Sequence, residues 1–378
     1  MRNKQKIIII GGGFSGVCAM RRIRQLKIFC DIILIDKKNN FEFLPLLPDI
    51  ISSRIKEEYL SVNLAELAKK YDAEYFNKEV TNIDFNNNKV ILKDLELRYD
   101  FLIIASGATN NFYGNKEAQR YALKLYSASD GALIRETIKE GNYDNFVIIG
   151  GGYTGIEIAT NIWRHFKKTK KEKNIYIVER SNKLLSNLSD NLSRYVAENL
   201  NRLKIIVLYN AQVKSMGDGF VSFTDGFNLE RALIVWAAGV KTADYIDILK
   251  QEKAPQGRLK VNEYLQISHN CFAVGDSANY EFKGRPLRMA IQFSIYEGIC
   301  AAENIKNLMQ NKPLKKFNPV DLGYIIPMAN GRSCGFVFGR EIFGVIPSML
   351  HYFMCIYRSW GVRKQIGILS ELIKNRIK

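Results

Sequence analysis

The most constraining feature of this chain is a glycine-rich turn that occurs twice, each time between an apolar run and the start of a helix. KIIIIGGGFSGVCAM spans residues 6–20, and NFVIIGGGYTGIEIAT spans residues 145–160. In GxGxxG spacing the first glycine allows a tight turn, the second admits a pyrophosphate, and the third lets the helix pack closely on the strand. The unpaired N–H groups of the helix N-terminus then face the phosphates. These glycines are Gly11, Gly13 and Gly16 in the first copy and Gly150, Gly152 and Gly155 in the second.

An acidic residue follows each turn at the end of a second predicted strand. DIILID ends at Asp36, twenty residues (36 − 16) after the third glycine, where a carboxylate meets a ribose hydroxyl. NIYIVER places Glu179 at the equivalent point. A carboxylate there repels the 2′-phosphate of NADPH and favours NADH, a preference that the neighbouring Arg180 would soften. Each complete unit predicts a site for an adenine dinucleotide.

Two such sites in one chain predict that one dinucleotide passes electrons to the other, and a nicotinamide with a flavin is the natural pair. The 378 residues are enough for about two or three domains. The predicted fold class is α/β, with two Rossmann-like dinucleotide-binding domains. We expect a C-terminal hairpin with amphipathic helices to follow these domains.

Composition limits the remaining classes of function. A net charge of +17 favours binding to an anionic partner, which could be nucleic acid, an anionic membrane surface or an acidic cofactor. The chain has neither zinc-finger spacing nor an RNA-binding signature, so we expect no nucleic-acid partner. No apolar run approaches the ~20 residues of a membrane span. The six cysteines form no CxxC pair and the three histidines lie far apart, so we expect reduced thiols and no metal site.

Three further segments resemble those of flavoproteins with two dinucleotide domains. YDFLIIASGATN (residues 99–110) resembles their ATG segment, and LIVWAAGV (residues 233–240) resembles the strand that leaves the nicotinamide domain. CFAVGDSA (residues 271–278) resembles the FAD-binding GD motif. The resemblance implies that Asp276 hydrogen-bonds the ribityl chain or a phosphate of FAD. The order of these segments along the chain makes the resemblance specific.

Within that superfamily the chain resembles the type II NADH dehydrogenases, the single-subunit NADH:quinone oxidoreductases, over nearly its whole length. FEFLPLLPDI (residues 41–50) is similar to the segment that reaches the flavin ring. GGGYTGIEIA is similar to the family's GGGPTGVELAG, which places Glu157 near the nicotinamide and the flavin. IQFSIYEG (residues 291–298) is similar to the AQxAxQQG segment on the quinone side, with Gln292 at its first glutamine.

The resemblance implies a reaction and a set of site residues. Hydride passes from NADH to FAD, and two electrons then pass to a quinone without ion pumping. Tyr296 stands in place of the second glutamine and Tyr153 in place of the usual proline, so the acceptor is the part of this reaction that the sequence supports least. The implied catalytic residues are Glu157 and Gln292, although Glu157 is alternatively a first-turn acid that complements the helix dipole. The implied cofactor-binding residues are Gly11, Gly13, Phe14, Ser15, Gly16, Asp36, Lys37, Pro45, Ala105, Ser106, Gly107, Gly150, Gly152, Tyr153, Thr154, Gly155, Glu179, Ala238, Gly239, Gly275, Asp276, Ala290 and Ile291.

These segments place the domain boundaries. Residues 1–112 form the first part of the FAD domain and residues 113–240 form the NAD(H) domain. Residues 241–312 complete the FAD domain, and residues 313–378 form a C-terminal region of different character.

The C-terminal region predicts a hairpin and two helices. Asn330-Gly331 between two apolar stretches indicates a type I′ turn. Amphipathic patterns follow over residues 346–360 and residues 362–377. Their apolar members are Ile346, Met349, Leu350, Phe353, Tyr357 and Trp360, then Val362, Ile366, Leu369, Ile373 and Ile377. The basic residues beside them are Arg358, Arg363, Lys364, Lys374, Arg376 and Lys378.

Two interpretations of these helices stay open. An interfacial membrane anchor has an apolar face, aromatic edges and a basic polar face, and a positive chain is attracted to anionic lipid. The resembled family also has membrane-docking helices at this end. This interpretation predicts a cytoplasmic protein attached peripherally to the inner face of the cell membrane. The alternative is that the helices pack on the body of the protein or on a second subunit, as in a homodimer.

Rival functions differ in what they require. Sulfide:quinone oxidoreductases and disulfide reductases need a redox cysteine pair, and no cysteine lies between Cys30 and Cys271. A soluble NAD(P)H-dependent reductase of a ferredoxin-like carrier stays open, although it has no need of an amphipathic basic tail. A non-catalytic flavoprotein that senses NADH stays open too, and fast turnover with a soluble quinone analogue would exclude it.

Overall fold

The computed structural model describes residues 4–375. In it, each glycine-rich turn connects a central strand of its own α/β unit to the helix that follows. The first unit contains the chain up to Phe41, Val62–Thr109 and Val240–Asp321. The second unit contains Glu42–Ser61, Asn110–Gly239 and the chain from Leu322 onward. The functional domain boundaries given above stay a prediction.

The strands and helices are numbered in chain order. The strands are β1 (Gln5–Ile10), β2 (Cys30–Asp36), β3 (Asn40–Glu42), β4 (Ser61–Asn63), β5 (Glu74–Asn77), β6 (Val80–Asp84), β7 (Lys89–Leu92), β8 (Glu96–Arg98), β9 (Phe101–Ile104), β10 (Ala108–Asn110), β11 (Asn145–Ile149), β12 (Asn174–Val178), β13 (Ile206–Leu208), β14 (Val213–Gly217), β15 (Phe220–Phe223), β16 (Asn228–Glu230), β17 (Ala232–Trp236), β18 (Val240–Thr242), β19 (Leu259–Lys260), β20 (Gln266–Ser268), β21 (Cys271–Ala273), β22 (Ala278–Asn279), β23 (Glu281–Phe282), β24 (Arg285–Pro286), β25 (Gly323–Ile326), β26 (Ser333–Val337) and β27 (Arg340–Gly344). The helices are α1 (Phe14–Gln25), α2 (Leu47–Ile51), α3 (Leu64–Lys70), α4 (Lys116–Tyr121), α5 (Ala128–Glu140), α6 (Tyr153–Thr169), α7 (Asp190–Arg202), α8 (Asp244–Asp247), α9 (Ile291–Met309), α10 (Val345–Arg358) and α11 (Val362–Lys374).

The first unit is built on a six-stranded sheet in the order β20-β21-β9-β1-β2-β5. β1 pairs in parallel with β2 on one side and with β9 on the other. The isoleucines at residues 7–10 are buried, and both faces of this central strand are therefore apolar. On one face Ile8 and Ile10 share a core cluster with Val80 and Val90 of the antiparallel sheet β6-β7-β8. The glycine turn after β1 therefore lies at the carboxyl edge of the sheet, where α/β proteins bind ligands.

The second unit repeats this plan on a four-stranded sheet in the order β13-β12-β11-β17. β11 lies between β12 and β17 in parallel, as β1 lies between β2 and β9. The predicted α/β fold class with two Rossmann-like sheets is confirmed. In this unit the antiparallel sheets β14-β15-β16 and β25-β26-β27 accompany the parallel one.

The predicted C-terminal hairpin is present, but the predicted type I′ turn is wrong. A type I′ turn needs positive φ at both central residues, whereas Gly331 has φ +77° and Asn330 does not take a positive φ. The connection instead closes through the N–H of Gly331, which donates to the carbonyl of Met328 at 2.9 Å. The Asn330 side chain donates to Asn199 of α7 at 2.9 Å, so the turn also has a contact distant in sequence.

Candidate functional site

The first glycine turn has two closely packed glycines and one open glycine. Gly11 has φ +108°, and a Cβ atom on it would lie 2.2 Å from the carbonyl oxygen of Ala105. A Cβ atom on Gly16 would lie 1.9 Å from the carbonyl oxygen of Gly11. On Gly13, a Cβ atom would have no described neighbour within 4 Å. The turn therefore needs its first and third glycines for packing and leaves the second accessible to a pyrophosphate.

The carboxylate of Asp36 is held beside this turn by backbone N–H groups. Gly12 donates to its Oδ2 atom at 2.6 Å, and Lys38 donates to its Oδ1 atom at 2.8 Å. The arrangement suits a carboxylate that accepts a hydrogen bond from ribose. The ammonium group of Lys37 pairs with Glu79 at 2.8 Å on the surface, so this predicted cofactor residue has an ionic partner of its own.

Ser277 joins two of the predicted FAD segments. The N–H of Gly107 donates to its Oγ atom at 2.8 Å, and the Oγ atom of Ser106 lies 3.2 Å from the same oxygen. The hydroxyl of Tyr245 donates to Ser106 at 3.0 Å. The segment after β9 and the GD turn are thus one hydrogen-bonded group, with the half-buried Asp276 next to Ser277.

Glu297 of α9 fixes the GD turn from inside the first unit. Gly275 is left-handed, with φ +66°, and donates its N–H to the Oε2 atom of Glu297 at 2.5 Å. Glu297 is 2% exposed. Burial raises its pKa to about 8, against the opposing effects of the Gly275 hydrogen bond and the Arg258 charge. Burial raises the pKa of Asp276 as well, and Arg258 again opposes the rise.

Helix α9 also packs on the first turn of α1. A Cβ atom on Gly298 would lie 2.2 Å from the carbonyl oxygen of Ser15, so the two helices approach at backbone distance. Ser15 and Phe14 are both buried, and the Phe14 ring packs edge-on against Phe41 with centroids 4.9 Å apart. Two of the predicted cofactor residues therefore also build the core around the turn.

The second glycine turn repeats the geometry of the first. Gly150 has φ +116°, and a Cβ atom on it would lie 2.6 Å from the carbonyl oxygen of Ala237. A Cβ atom on Gly155 would lie 1.9 Å from the carbonyl oxygen of Gly150. A Cβ atom on Gly152 would meet no described atom within 4 Å. The same division between packing glycines and an open glycine indicates the same kind of ligand.

Glu179 has the place in the second unit that Asp36 has in the first. Its carboxylate accepts the N–H of Gly151 at 2.8 Å and the N–H of Ser181 at 2.7 Å. Arg180 is exposed. The bonds hold the negative charge beside the glycine turn, where it can accept from ribose and oppose a 2′-phosphate.

The remaining predicted NADH contacts lie at the start of α6 and after β17. Tyr153 and Thr154 are the first residues of α6, and Thr154 is exposed while Tyr153 is half-buried. The hydroxyl of Tyr113 donates to the carbonyl of Ala238 at 3.2 Å. Gly239 has φ +151°, a backbone conformation that favours glycine.

Glu157 lies beyond the first turn of α6, so its alternative role as a first-turn acid is wrong. Burial raises its pKa well above the ordinary value, and the Asp49 carboxylate adds to the rise. Asp49 is buried, accepts from the Tyr352 hydroxyl at 3.0 Å and lies 3.7 Å from Arg54. Burial raises the pKa of Asp49 in spite of these partners. Burial and the Asp49 carboxylate both favour the protonated form of the Glu157 carboxyl.

Gln292 is 5% exposed and lies in the first turn of α9. Ala290 is the N-cap of this helix and Ile291 its first residue. The Nε2 atom of Gln292 donates to the Oδ1 atom of Asp321 at 3.1 Å. Arg288 donates to both oxygens of the same carboxylate, so the predicted quinone-side glutamine has a fixed polar neighbour.

The predicted site residues divide between the two units. The group in the first unit is Gly11, Gly13, Phe14, Ser15, Gly16, Asp36, Lys37, Ala105, Ser106, Gly107, Gly275, Asp276, Ala290, Ile291 and Gln292. The group in the second unit is Gly150, Gly152, Tyr153, Thr154, Gly155, Glu157, Glu179, Ala238 and Gly239. Pro45, predicted to contact FAD, belongs to the second unit.

Helices α10 and α11 expose apolar side chains along one side. On the other side Cys355 and Ile368 are buried, and Gly367 packs on the ring of Tyr59. Leu350 and Trp360, predicted for the apolar stripe, are only partly exposed. The exposed apolar residues, between 47% and 71% exposed, are Val345, Ile346, Met349, Phe353, Tyr357, Val362, Ile366, Leu369 and Ile373. The predicted members Arg376, Ile377 and Lys378 lie outside the described residues.

Within residues 4–375, no helix combines the length and the apolar character needed to cross a membrane.

Comparison with known proteins places the chain among pyridine-nucleotide flavoproteins. A model of the family described as pyridine nucleotide-disulphide oxidoreductase matches residues 5–298. A probable NADH dehydrogenase of Dictyostelium discoideum is 26% identical, over 82% of this chain and 75% of that protein. A type II NADH:quinone oxidoreductase of Staphylococcus saprophyticus is 24% identical, over 91% and 92% of the two chains. The NDH2 structure of Plasmodium falciparum in complex with NADH superposes with a TM-score of 0.86 at 20% identity, over 98% of each chain.

Proposed function

This chain belongs to the pyridine nucleotide-disulphide oxidoreductase family, and we propose that it passes a hydride from NADH to FAD and then two electrons to a quinone, without ion pumping. The repeated glycine turn with its ribose acid is the observation that carries the proposal, because two dinucleotide sites in one chain allow transfer between them. Relatives named as NADH:quinone oxidoreductases support a quinone as the acceptor. The resemblance to type II NADH dehydrogenases is confirmed.

The residues of each unit act by binding and orienting. FAD supplies, when bound, a ring system that can accept a hydride and give up two electrons. In the first unit the open Gly13 would admit its pyrophosphate, and Asp36, held by the Gly12 N–H, would accept a hydrogen bond from its ribose. In the second unit Gly152 and Glu179 would do the same for NADH. Holding both partners in fixed orientation supplies most of the acceleration.

We assign the proton chemistry of the acceptor step to Glu157. A quinone that gains two electrons also takes up two protons, so one of them has to be held close by. Burial and the Asp49 charge raise the pKa of the Glu157 carboxyl and so favour its protonated form, which can donate a proton. Gln292 is assigned to hydrogen-bond the acceptor, because its carboxamide is neutral and keeps both donor and acceptor atoms at every pH.

The first test is anaerobic transient kinetics on the purified yellow protein, with NADH as reductant and menadione as acceptor. Denaturation of the protein should release FAD. Glu157→Gln should keep flavin reduction by NADH within about twofold and slow flavin reoxidation by menadione about 100-fold, as expected for a lost general acid. Release of FMN, or rapid transfer to a ferredoxin but not to any quinone, would contradict the proposal.

The exposed apolar faces of α10 and α11 support docking on an anionic membrane surface, which we propose to be the cytoplasmic face. Their side chains would enter the boundary between headgroups and acyl chains. Arg358, Arg363 and Lys374 on these helices would contribute about 1 kcal/mol of attraction each near anionic lipid, and salt would screen it. The alternative occupant of the same faces is a second copy of the chain.

Point substitutions test this docking better than removal of residues 345–378, which would also delete Tyr352, the partner of Asp49. Combined Ile346→Ser, Met349→Ser and Phe353→Ser should abolish co-sedimentation with phosphatidylglycerol vesicles and leave flavin reduction by NADH unchanged. Sedimentation of the wild type should fall as salt rises. A dimer on a sizing column that becomes a monomer on substitution, without vesicle binding, would identify a subunit interface instead.

A further inference from the structure

We infer that Asp321 and Arg288 form a clamp that sets the orientation of the Gln292 carboxamide, and that both are positioning residues for the acceptor step. The inference rests on the proposed contact between Gln292 and the acceptor. Asp321 is the last residue of the first unit and lies in the connection that follows α9. Its contact with the first turn of α9 joins residues 29 positions apart in the chain.

The clamp is defined by hydrogen bonds on both oxygens of Asp321. Its Oδ1 atom accepts from Gln292 Nε2 at 3.1 Å and from Arg288 Nη2 at 2.7 Å. Its Oδ2 atom accepts from Arg288 Nη1. Such a bidentate pair between guanidinium and carboxylate fixes direction as well as distance. The Arg288 guanidinium also lies 5.1 Å from the centre of the Phe293 ring, which restrains its plane.

This geometry determines which way the Gln292 amide faces. A carboxylate without a proton only accepts hydrogen bonds, so the nitrogen of the amide has to face Asp321 and the oxygen has to face away. The two ends of a carboxamide have nearly the same size, and in a site without such a neighbour either orientation fits. With the clamp in place, an acceptor molecule meets the same donor and acceptor atoms in every turnover.

The clamp contributes to positioning rather than to stability. The side chains of Arg288 and Asp321 are 33% and 51% exposed, and exposed ion pairs stabilise a fold only weakly. The first turn of α9 has no acidic residue of its own, so Asp321 also brings a negative charge to the positive end of this helix. Arg288 balances that charge, which limits its effect on an acceptor that is gaining electrons.

The test compares Asp321→Asn, Asp321→Ala, Gln292→Ala and the double variant Asp321→Ala/Gln292→Ala. Glu303→Gln is the matched control, because Glu303 is also on α9 and also forms ion pairs, with Arg22 at 2.7 Å and Lys315 at 2.9 Å. Flavin reduction by NADH and flavin reoxidation by menadione are measured separately, together with FAD content and thermal unfolding.

Both Asp321 variants should slow reoxidation by menadione about tenfold at subsaturating quinone, a change of about 1.4 kcal/mol. They should keep FAD content, the unfolding temperature and the rate of reduction by NADH, as should the control. The double variant should be no slower than Gln292→Ala alone. Equal slowing in Glu303→Gln, additive effects in the double variant, or loss of FAD would overturn the clamp. Normal reoxidation in Gln292→Ala would overturn the role proposed for Gln292, whereas slow Gln292→Ala with normal Asp321→Ala would overturn the clamp alone.

Discussion

The two glycine turns share their glycine packing and their ribose acid, yet the chain encloses them differently. In the first unit, Ser277 and Glu297 bind the segments that neighbour the turn, and α9 packs on α1 at backbone distance. In the second unit, the helix after the turn begins with the half-buried Tyr153 and the exposed Thr154. The first arrangement suits a cofactor that stays bound, and the second suits a substrate that exchanges at every turnover.

The largest effect should come from filling the open glycine in each turn. Gly152→Ala places a Cβ atom where the NADH pyrophosphate approaches, at a position with room for it in the protein alone. We expect the Michaelis constant for NADH to rise about 100-fold, or about 2.7 kcal/mol, while bound FAD and the unfolding temperature stay as in the wild type. Gly13→Ala should instead cause the loss of bound FAD, and the fold should be retained.

Flavin absorbance and stopped-flow reduction by NADH measure both variants on one preparation each. The assignment of FAD to the first turn and NADH to the second is wrong if Gly152→Ala purifies without FAD. It is also wrong if Gly13→Ala keeps FAD and loses only its reaction with NADH. Either result would mean that the roles of the two turns are exchanged or shared.

The sequence predicted those residues of each turn that are set by spacing within a short segment. It did not predict the contacts between residues far apart in the chain. Glycines and ribose acids follow from a strand, a turn and a second strand within about 30 residues. However, Gly12 and Gly151, the residues that follow the first glycine of each motif, lie against the side chains of Leu64 and Leu184. Both leucines lie outside the glycine motifs. Likewise, the contact of Asp49 with the Tyr352 hydroxyl joins residues 303 positions apart, and no local pattern marks either residue.

The C-terminal region shows the same limit. The helical periodicity predicted both bounds of α10 to within two residues and the first residue of α11, because it reports the local repeat. It could not assign every member to the exposed side, since the packing of Leu350 and Trp360 depends on what lies beneath them. The Asn330-Gly331 pair likewise marked a turn but not its type, and the hydrogen bond from Asn330 to Asn199 is a contact that no local pattern reports.

A smaller effect should come from the ribose acid of the second unit. Glu179→Gln removes the charge that opposes a 2′-phosphate and keeps one oxygen for the N–H groups of Gly151 or Ser181. The ratio of rates with NADH and NADPH should fall about tenfold, or about 1.4 kcal/mol, mostly through better use of NADPH. Asp36→Asn in the first unit is the matched control and should change FAD retention but not this ratio. A wild type that prefers NADPH would contradict the role given to Glu179 and would indicate that Arg180 or a nearby lysine binds the 2′-phosphate.

The smallest effect should appear in the pH dependence of stability, and it concerns the buried acid of the first unit. Burial raises the pKa of Glu297 from 4.5 to about 8, so between these values the folded protein binds a proton that the unfolded chain has released. The stabilisation is therefore complete below about pH 4.5 and is lost as the pH rises through about 8. Glu297→Gln cannot ionise and keeps an oxygen for the Gly275 N–H, so its unfolding temperature should fall less than that of the wild type between about pH 5 and about pH 9. Each kcal/mol recovered at the higher pH should appear as about 2–4 °C, measured by thermal unfolding of the FAD-loaded protein. Parallel curves of unfolding temperature against pH for variant and wild type would show that Glu297 binds the same number of protons in the folded and unfolded states. Glu297 would then make no pH-dependent contribution to the stability of the first unit.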